Sequence, residues 1–545
     1  MSDRHPQLPA KRLSPPVTPW WLPARLAGIS PFAGMLAVLL ALVWRFFSRL
    51  PLRHTDLWGH LAYGRWIAIH GWPTYEPLIP CASESKFIDT AWLTQFLWFQ
   101  WERLGGVLAL QQSHALLVTA ACLVAYACGG RATRSKLGGL VAASVWLLGA
   151  WFQIVVIRPQ QFGILFAGLV VWQLADHRRA FRQPLWLIPL FALWANLHGS
   201  FVIGWLYIGC ALLARLITQL ARDTQAPRNL FSRIRRATLG DAPFRRLALG
   251  LICAIAATLL NPYGLSLHAE VLSVARHANL ADLTEWQPLR LASPQGVRFV
   301  AISSGVGLLM VVAIVRYCFA TRLRRLAILL QLGPLLALAA GAVVLGLATV
   351  HSARFIVWWA GVAAPLCALA ALAILPRPGF ARGMSLARSP LWLALAALAW
   401  GVSVRQSPLG EAIVTQRSPS IERLVVSDTP LAIADYLRAN PPSGPLFQPM
   451  EWGDYLLWAG PPYLRVFVAS HVHLIPSSQW RAYMTVVRLD KGWREVLDRH
   501  QVTTVVLDRR FRSRLIRAMR NDPDWREVFA DDLGVVFDRA PPSRR

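Results

Sequence analysis

The chain has 545 residues, of which 55% are hydrophobic and only 15% are charged, and its mean hydropathy is +0.41. This composition excludes an ordinary soluble globular protein, in which roughly a quarter of the residues are charged. The formal net charge of +28 would suggest nucleic-acid binding in a soluble protein, but most basic residues here lie in short segments between apolar runs. We therefore expect a membrane protein that binds no nucleic acid.

A basic, proline-rich leader occupies residues 1–26, and the first apolar segment follows at residues 27–47. No small-residue cleavage site follows this segment, which therefore predicts an uncleaved membrane anchor. A transmembrane helix needs about 20 apolar residues. We predict about 11 such helices in a membrane domain at residues 27–404, with bounds 27–47, 107–128, 137–157, 162–175, 185–196, 201–217, 247–260, 299–315, 326–350, 355–375 and 391–404. The two segments beside residues 196–199 are also compatible with one long, broken helix.

The loops between these segments alternate in charge. Basic clusters occupy the leader and every second loop, and the positive-inside rule places such loops in the cytoplasm. The other loops carry few basic residues and are expected to lie outside, together with the C-terminal domain at residues 405–545. We therefore predict a multi-pass protein with a cytoplasmic N-terminus and an extracytoplasmic C-terminal domain.

The first outer loop, residues 48–106, carries four carboxylates, which belong to Asp56, Glu76, Glu84 and Asp89. Apolar residues at helical spacing after Asp56 predict a short amphipathic helix in the membrane interface, with Asp56 at its N-terminal end. The helix dipole favours an acid there, so Asp56 is either a functional acid or only a helix N-cap. A second interfacial helix is predicted at residues 92–101, followed by two glycines.

Polar residues also stand at the other outer ends of the predicted helices. Arg158 precedes a proline, Asn196 and His198 precede a glycine, and His351 and Arg354 separate two apolar segments. Each has a local explanation as a helix end, a cap or an interfacial anchor. Ionisable residues at membrane depth are costly, however, and usually face a cavity or one another. Their location on one face with the outer-loop acids therefore predicts a single site.

Carboxylates opposite cations suit a reaction with a phosphate leaving group. Arginine binds phosphate through paired, charge-assisted hydrogen bonds, and a carboxylate can deprotonate a hydroxyl as general base. The predicted residues are, for catalysis, Asp56 and Glu76; for binding the phosphate, Arg158, His198 and Arg354; and in support of the site, His60, Asn196 and His351.

An ordered set of motifs covers most of the chain: Asp56-Leu57-Trp58-x-His60-Leu61, Gly64-Arg65-x-Ile67, Gly71-x-Pro73, Trp92-Leu93, Arg158-Pro159-Gln160, Asn196-Leu197-His198-Gly199, Asn261-Pro262-Tyr263-Gly264, Glu285-Trp286 and Trp452-Gly453-x-Tyr455-Leu456. The set resembles bacterial multi-pass proteins related to the GT-C glycosyltransferase superfamily, which includes protein O-mannosyltransferases and aminoarabinose transferases. The implied fold is mainly α, a polytopic membrane domain followed by a soluble α/β domain.

The resemblance implies transfer of a sugar from a polyprenyl-phosphate donor to an extracytoplasmic glycan, lipid or protein at the bacterial cytoplasmic (inner) membrane, in the cell envelope. It also implies that Asp56 serves as the base or as a ligand of a divalent cation. The chain departs from the pattern at His54, where the group often has an acid, and at Ala469-Ser470-His471, where the group often has Asp-Gly-Arg.

The C-terminal domain has an ordinary composition and predicts an α/β fold. Helices are predicted at 430–438, 480–488, 493–500 and 511–519, and strands at 445–448, 465–469, 503–507, 527–530 and 534–537. His471 and His473 follow a predicted strand, where α/β folds often place ligand groups. Two histidines without a third ligand are weak evidence for a metal site, and a lid or acceptor-binding role is preferred for this domain.

Two other functions fit the composition. A lipid or glycan transporter, such as a flippase, would need polar residues deep in the membrane, and the candidates in the second predicted span are Gln111, Gln112, Ser113 and His114. A non-catalytic scaffold would keep the GT-C-like fold and bind partners through the C-terminal domain. Such a scaffold predicts no outer cavity beside Asp56.

Overall fold

The computed structural model describes residues 28–53, 56–175, 184–222, 229–274, 277–320, 333–374 and 388–540. The predicted leader and His54 lie outside these residues. Helices dominate the first part of the chain and have these bounds: α1 Pro31–Phe47, α2 Asp56–His70, α3 Trp92–Thr133, α4 Lys136–Ile154, α5 Gln160–Leu174, α6 Leu187–Leu197, α7 Phe201–Arg222, α8 Leu230–Thr238, α9 Ala242–Ala257, α10 Leu265–Ser273, α11 Pro294–Ala320, α12 Gly333–His351, α13 Ile356–Ile374 and α14 Pro390–Arg405.

Within the described residues, five helices are long and apolar enough to cross a membrane, namely α3, α4, α7, α11 and α13. Five shorter apolar helices are α1, α5, α6, α12 and α14. Each of the 11 predicted spans coincides wholly or partly with a helix. Ten of them fall on the helices just named, and the eleventh falls on α9. The two segments beside residues 196–199 form the separate helices α6 and α7. The total of about 11 membrane crossings stays a prediction.

Helix α3 contains the break that the two glycines predict. Gly105 and Gly106 leave the helical conformation, and Gly106 has a φ of 62°, which favours glycine. The aromatic N-terminal part of α3 packs against α2 at very close range. A Cβ atom at Gly64 of α2 would lie only 2.2 Å from the carbonyl oxygen of Gln95. The glycine therefore permits the contact that joins the two parts of the first outer loop.

The C-terminal domain contains seven further helices and four strands. Their bounds are α15 Pro408–Thr415, α16 Ile421–Leu424, α17 Leu431–Ala439, α18 Met450–Ala459, α19 Ser477–Arg488, α20 Trp493–Arg499, α21 Ser513–Arg520, β1 Leu446–Phe447, β2 Thr504–Asp508, β3 Trp525–Ala530 and β4 Gly534–Arg539. The sheet order is β1-β2-β4-β3, with β1 parallel to β2 and the other pairs antiparallel.

Several features of this domain differ from the sequence prediction, including helices α15 and α16, which were not predicted. Residues 465–469 form no regular strand and make a single bridge, between Val466 and Leu446. Helix α18, which carries the Trp452-Gly453 motif, was not predicted, because apolar and polar residues there do not alternate at a clear helical period. Strand β2 is buried on both faces, as Val505 and Val506 belong to different apolar clusters.

Helix α2 lies between α3 on one side and α18 of the C-terminal domain on the other. Leu57 and Leu61 share one apolar cluster with Trp98 of α3 and with Leu456 of α18. Burial on two sides corrects the prediction of an amphipathic helix in the membrane interface, which would bury one face. The first outer loop therefore connects the helical region to the C-terminal domain.

Candidate active site between the helices and the C-terminal domain

A cavity of about 810 Å³ lies where the helix ends of the first part of the chain meet the C-terminal domain. Its lining comes from the start of α2, the α4–α5 and α6–α7 corners, α10, the turn before α13 and the C-terminal domain. Its lining includes four charged residues from segments far apart in the sequence: Asp56, Arg158, Glu285 and Arg354. The fold therefore gathers into one place most of the predicted charged residues.

The four charged side chains form a continuous chain of ion pairs. Arg158 Nη1 lies 2.6 Å from Glu285 Oε2, and Arg354 Nη1 lies 2.9 Å from Glu285 Oε1. Arg158 Nε lies 3.5 Å from Asp56 Oδ2. Burial acts to raise the pKa of Glu285, but the charges of Arg354 and Arg158 outweigh it and hold this pKa below its ordinary value. Two acids thus balance two guanidinium groups.

Local structure explains why these side chains meet. Asp56 is the first residue of α2, and Arg158 precedes Pro159 in the corner that ends α4 and starts α5. Arg354 lies in the 3-10 turn Ala353–Phe355. Backbone hydrogen bonds fix this turn against the segment after Glu285, since Ala353 N donates to Gln287 O at 3.1 Å. Arg354 also lies over the ring of Trp286, 4.7 Å from its centroid.

His198 lines the same cavity at the corner between α6 and α7. Burial lowers its pKa to about 3, and the charges of Arg354 and Arg158 act in the same direction. The imidazole is therefore neutral. Ser200 N donates to His198 Nδ1 at 3.0 Å, which assigns the remaining proton to Nε2. His198 is thus a neutral hydrogen-bond donor.

A second set of polar residues, His60, Gln95 and Asp89, lies next to Asp56 in the cavity lining. Gln95 Nε2 lies 3.2 Å from His60 Nδ1 and donates to Asp89 Oδ1 at 3.0 Å. Asp89 Oδ1 also accepts from Ala91 N at 2.9 Å, which makes an Asx turn just before α3. Burial raises the pKa of Asp89 to about 7. Asp89, one of the four acids of the first outer loop, is therefore buried and lines the cavity.

The C-terminal domain completes the cavity with His471 and His473. The ring of His471 lies 5.7 Å from that of His60 and 5.8 Å from that of His473, measured between centroids. Burial lowers the pKa of His471 to about 3, and the nearby His60 acts in the same direction while Asp56 opposes it. The two histidines present uncharged rings to the cavity.

Comparison with known proteins gives structural matches only, since no protein-family model and no curated protein sequence matches the chain. Solved structures align with this chain over most of its length. ArnT from Cupriavidus metallidurans bound to undecaprenyl phosphate aligns with a TM-score of 0.47 and 15% identity, over 94% of this chain and 98% of ArnT. Its apo state aligns with a TM-score of 0.48 and 14% identity, over 93% and 97%.

A third similar structure is the arabinofuranosyltransferase AftD from Mycobacteria. It aligns with a TM-score of 0.48 and 14% identity, over 94% of this chain. Only 40% of AftD is covered, so this chain spans less than half the length of that protein.

Three of the predicted site residues lie away from the cavity lining. Glu76 is buried and accepts hydrogen bonds from Tyr63 Oη at 2.9 Å, Leu78 N at 2.8 Å and Ile79 N at 3.0 Å. Asn196 joins three segments by hydrogen bonds, including one from Trp92 Nε1 at 2.8 Å. His351 is exposed at the end of α12. These contacts indicate structural roles for Glu76 and Asn196.

One buried acid that the sequence did not single out lies beside this site. Asp454 occupies the variable position of the Trp452-Gly453-x-Tyr455 motif, and a Cβ atom at Gly59 of α2 would lie 2.8 Å from its carboxyl group. Burial raises the pKa of Asp454 to about 7, and the nearby charge of Asp56 adds to the effect. The motif marks this segment but not the acid, and the contact of Asp454 with α2 depends on the docking of the whole domain.

The donor set does not fit a divalent cation at Asp56. Within the described residues, no group of three or more His, Cys, Asp or Glu side chains has an arrangement that could hold a metal ion. The carboxylate of Asp56 lies beside Arg158, so a guanidinium group stands where a cation would bind. Such a site favours binding of an anion, which would compete with the carboxylates of Asp56 and Glu285 for the two arginines.

Proposed function

We propose that this chain is a GT-C-type membrane glycosyltransferase that moves a sugar from a polyprenyl-phosphate donor to an extracytoplasmic acceptor. The observation that carries the proposal is the Asp56–Arg158–Glu285–Arg354 chain of ion pairs inside a cavity at the ends of apolar helices. A polyprenyl donor has an apolar tail that partitions into the bilayer and a phosphate that needs cations near its surface.

Arg158, Arg354 and His198 would bind the phosphate. Both guanidinium groups line the cavity, and each can offer further N–H donors to a phosphate oxygen. The neutral His198 would add a hydrogen bond from Nε2. Glu285 holds the two arginines in place without substrate and would share them with the phosphate once the donor binds.

The proposed step is a displacement with inversion at the anomeric carbon. The acceptor oxygen forms a bond to this carbon while the bond from the carbon to the phosphate oxygen breaks, and the electron pair leaves with the polyprenyl phosphate. Asp56 would take the proton of the acceptor hydroxyl as general base. The two arginines would stabilise the charge that develops on the departing phosphate.

The proposed setting is the bacterial cytoplasmic (inner) membrane. The basic loops would lie in the cytoplasm, and the cavity and C-terminal domain would lie outside. The acceptor would be a glycan, lipid or protein in the cell envelope, reaching the site beside the C-terminal domain. His471 and His473 on the cavity wall support an acceptor-binding or lid role for this domain.

Specific contacts argue against the transporter hypothesis, and the cavity argues against the scaffold hypothesis. Gln111 Nε2 donates to Leu50 O at 2.9 Å, Gln112 Nε2 donates to Ser48 O at 3.3 Å, and His114 Nε2 lies 2.8 Å from Ile154 O. These polar residues thus satisfy carbonyl groups at or just beyond helix ends, which accounts for them without a transport path. The cavity beside Asp56 opposes the scaffold hypothesis, which predicted none.

The deciding experiment measures binding of a bare polyprenyl phosphate to the purified full-length protein. Affinity is obtained from the ligand-dependent rise in unfolding temperature. We expect Arg158→Gln and Arg354→Gln each to weaken binding at least about tenfold, because each removes a charge-assisted contact. Arg465→Gln, which replaces an exposed arginine outside the cavity, is the matched control. Equal affinity in all four proteins would contradict the proposed phosphate site.

A further inference from the structure

The cavity has two walls of opposite hydrogen-bonding character. One wall carries the guanidinium groups of Arg158 and Arg354, which only donate. The other wall carries Asp89, Gln95 and His471. In the part of the chain that the structure describes, Asp89 Oδ2, Gln95 Oε1 and His471 Nδ1 have no hydrogen-bond partner. Asp89 Oδ2 and Gln95 Oε1 are oxygen acceptors, and His471 Nδ1 accepts in one tautomer of the neutral ring.

The contacts within this wall determine which buried polar atoms lack a partner in the structure. Gln95 Nε2 faces two acceptors, His60 Nδ1 and Asp89 Oδ1, which assigns the amide nitrogen to that side. Gln95 Oε1 is then the opposite atom and can only accept. Asp89 Oδ1 is already used by Ala91 N and Gln95, which leaves Oδ2. The orientation of both side chains is thus fixed by contacts that do not involve the remaining acceptor atoms.

Burial makes these atoms costly unless a ligand satisfies them. Asp89 is 4% exposed and Gln95 is 1% exposed. Buried polar atoms in folded proteins nearly always have a hydrogen-bond partner, and an unpaired one is destabilising. A ligand that matches this wall must present several donors close together. Hydroxyl groups on a sugar ring meet this requirement, and a hydroxyl that donates to Asp89 would also favour its ionised form.

The order of residues along the cavity relates this wall to the phosphate wall. Asp56 and His60 lie one turn apart on α2 and therefore share a face. Asp56 contacts Arg158, and His60 contacts Gln95. In space, the arginines therefore neighbour Asp56, Asp56 neighbours His60, and His60 neighbours Gln95 and Asp89. A sugar ring joined to phosphate would follow the same order, with its anomeric carbon beside Asp56.

We propose that the wall formed by His60, Gln95, Asp89 and His471 binds the hydroxyl groups of a sugar ring next to Asp56. The inference rests on the proposed glycosyl transfer and adds the position of the ring. The ring belongs either to the polyprenyl-phosphate donor or to a glycan acceptor, since both present hydroxyl donors. The aromatic ring of Phe87 lines the cavity near His471, at 6.4 Å between centroids, and offers an apolar surface to the C–H groups of a sugar.

The test uses variants that change acceptor atoms while keeping local structure. Asp89→Asn retains Oδ1 for Ala91 and Gln95 but replaces the acceptor Oδ2 with a donor. Gln95→Met removes Oε1 at similar side-chain volume, together with the Nε2 donor to His60 and Asp89, so Asp89→Asn is the more selective of the two variants. The matched control is Asp531→Asn, since Asp531 Oδ1 likewise accepts from two backbone amides, those of Leu533 and Gly534, and Asp531 does not line the cavity.

Three probes are titrated into the full-length protein: polyprenyl phosphate, polyprenyl phosphate carrying a pentose or hexose, and a panel of free methyl glycosides. We expect Asp89→Asn and Gln95→Met to weaken binding of a sugar-bearing probe about tenfold or more and to leave bare polyprenyl phosphate unchanged. A loss confined to the lipid-linked sugar assigns the ring to the donor. A loss confined to the methyl glycosides assigns it to the acceptor.

Unchanged affinity for every sugar-bearing probe in both variants, while bare polyprenyl phosphate still binds, would overturn the sugar-binding wall and leave the proposed function standing. Failure of bare polyprenyl phosphate to bind the unmodified protein would instead overturn the proposed function. A loss of affinity in Asp531→Asn equal to that in Asp89→Asn would also overturn the assignment, because it would trace the effect to general destabilisation.

Discussion

Arg158 Nε lies 3.5 Å from Asp56 Oδ2, and this contact joins the first residue of α2 to the corner between α4 and α5. Arg158 also contacts Glu285, so one guanidinium group links two acids from different loops. Contacts with two acids thus define the position of this largely buried guanidinium group. The carboxylate of Asp56 is thereby fixed beside the group that would bind the phosphate.

The first prediction concerns Asp56 as general base. Asp56→Asn keeps the size of the side chain but removes its ability to take a proton, so we expect the transfer rate to fall by a factor of about 100 to 10,000. The measurement is the surface-glycan phenotype of cells that carry the variant at normal protein level, followed by a transfer assay. Glu84→Gln, which replaces an exposed acid of the same loop, should retain full activity. Full activity of Asp56→Asn would exclude the proposed role.

The second prediction concerns Glu285, which neutralises both arginines. Glu285→Gln leaves two largely buried guanidinium groups without this charge, so we expect the ligand-free protein to lose roughly 2 kcal/mol of stability. Because the arginines then lack a competing carboxylate, bare polyprenyl phosphate should bind more tightly and restore the unfolding temperature. Unfolding is followed with and without the lipid. A variant that is destabilised but gains no extra stabilisation from the lipid would contradict this account.

Much of the ion-paired group in the cavity could be predicted from the sequence, because ionisable residues beside apolar segments have few favourable locations. Arg158, His198 and Arg354 lie with Asp56 around one cavity, as their shared face implied. Glu285 was visible in the sequence as part of the Glu285-Trp286 motif. Its pairing with two arginines was not predicted, since that requires the backbone contact between its loop and the turn at Arg354.

Other parts of the site depend on tertiary contacts that a linear pattern does not contain. Glu76 and Asp89 are both acids of the first outer loop, but only the side chain of Asp89 lines the cavity. Asp454 belongs to a domain far along the chain and approaches α2 only because Gly59 leaves room for it. The helical period around Asp56 predicted α2 correctly, whereas the burial of its second face follows from this domain docking.

The third prediction concerns the pH dependence of stability through Asp454. Burial raises its pKa from an ordinary 3.8 to about 7 in the folded protein. Between about pH 4 and 7 the folded state therefore holds a proton that the unfolded chain releases, so this group makes the unfolding free energy fall as pH rises through that range. Asp454→Asn carries no such proton and can keep the hydrogen bond from Ser470 N.

We therefore expect Asp454→Asn to match the unmodified protein near pH 4.5 and to exceed its stability by about 2 kcal/mol at pH 8. Thermal unfolding in detergent across this range provides the measurement. The residual slope of the variant combines two opposing contributions. Asp89, whose pKa is also raised to about 7, lowers stability as pH rises, whereas His198 and His471, whose pKa values are lowered to about 3, raise it. The unfolding free energy could instead change between pH 4.5 and pH 8 by the same amount in the variant and in the unmodified protein. That result would show that Asp454 is not responsible for the change.

The fourth prediction concerns how the C-terminal domain is held on α2. A Cβ atom at Gly59 would lie 2.8 Å from Asp454 Cγ, whereas a Cβ atom at Gly209 of α7 would have no neighbour within 4 Å. Both glycines are helical, so alanine gains a similar helix propensity of roughly 1 kcal/mol at each position. Gly59→Ala should nevertheless lower stability by about 1 to 3 kcal/mol through overpacking and speed proteolytic release of the domain. Gly209→Ala should be neutral or stabilising, and identical proteolysis of the two variants would show that the domain is held elsewhere.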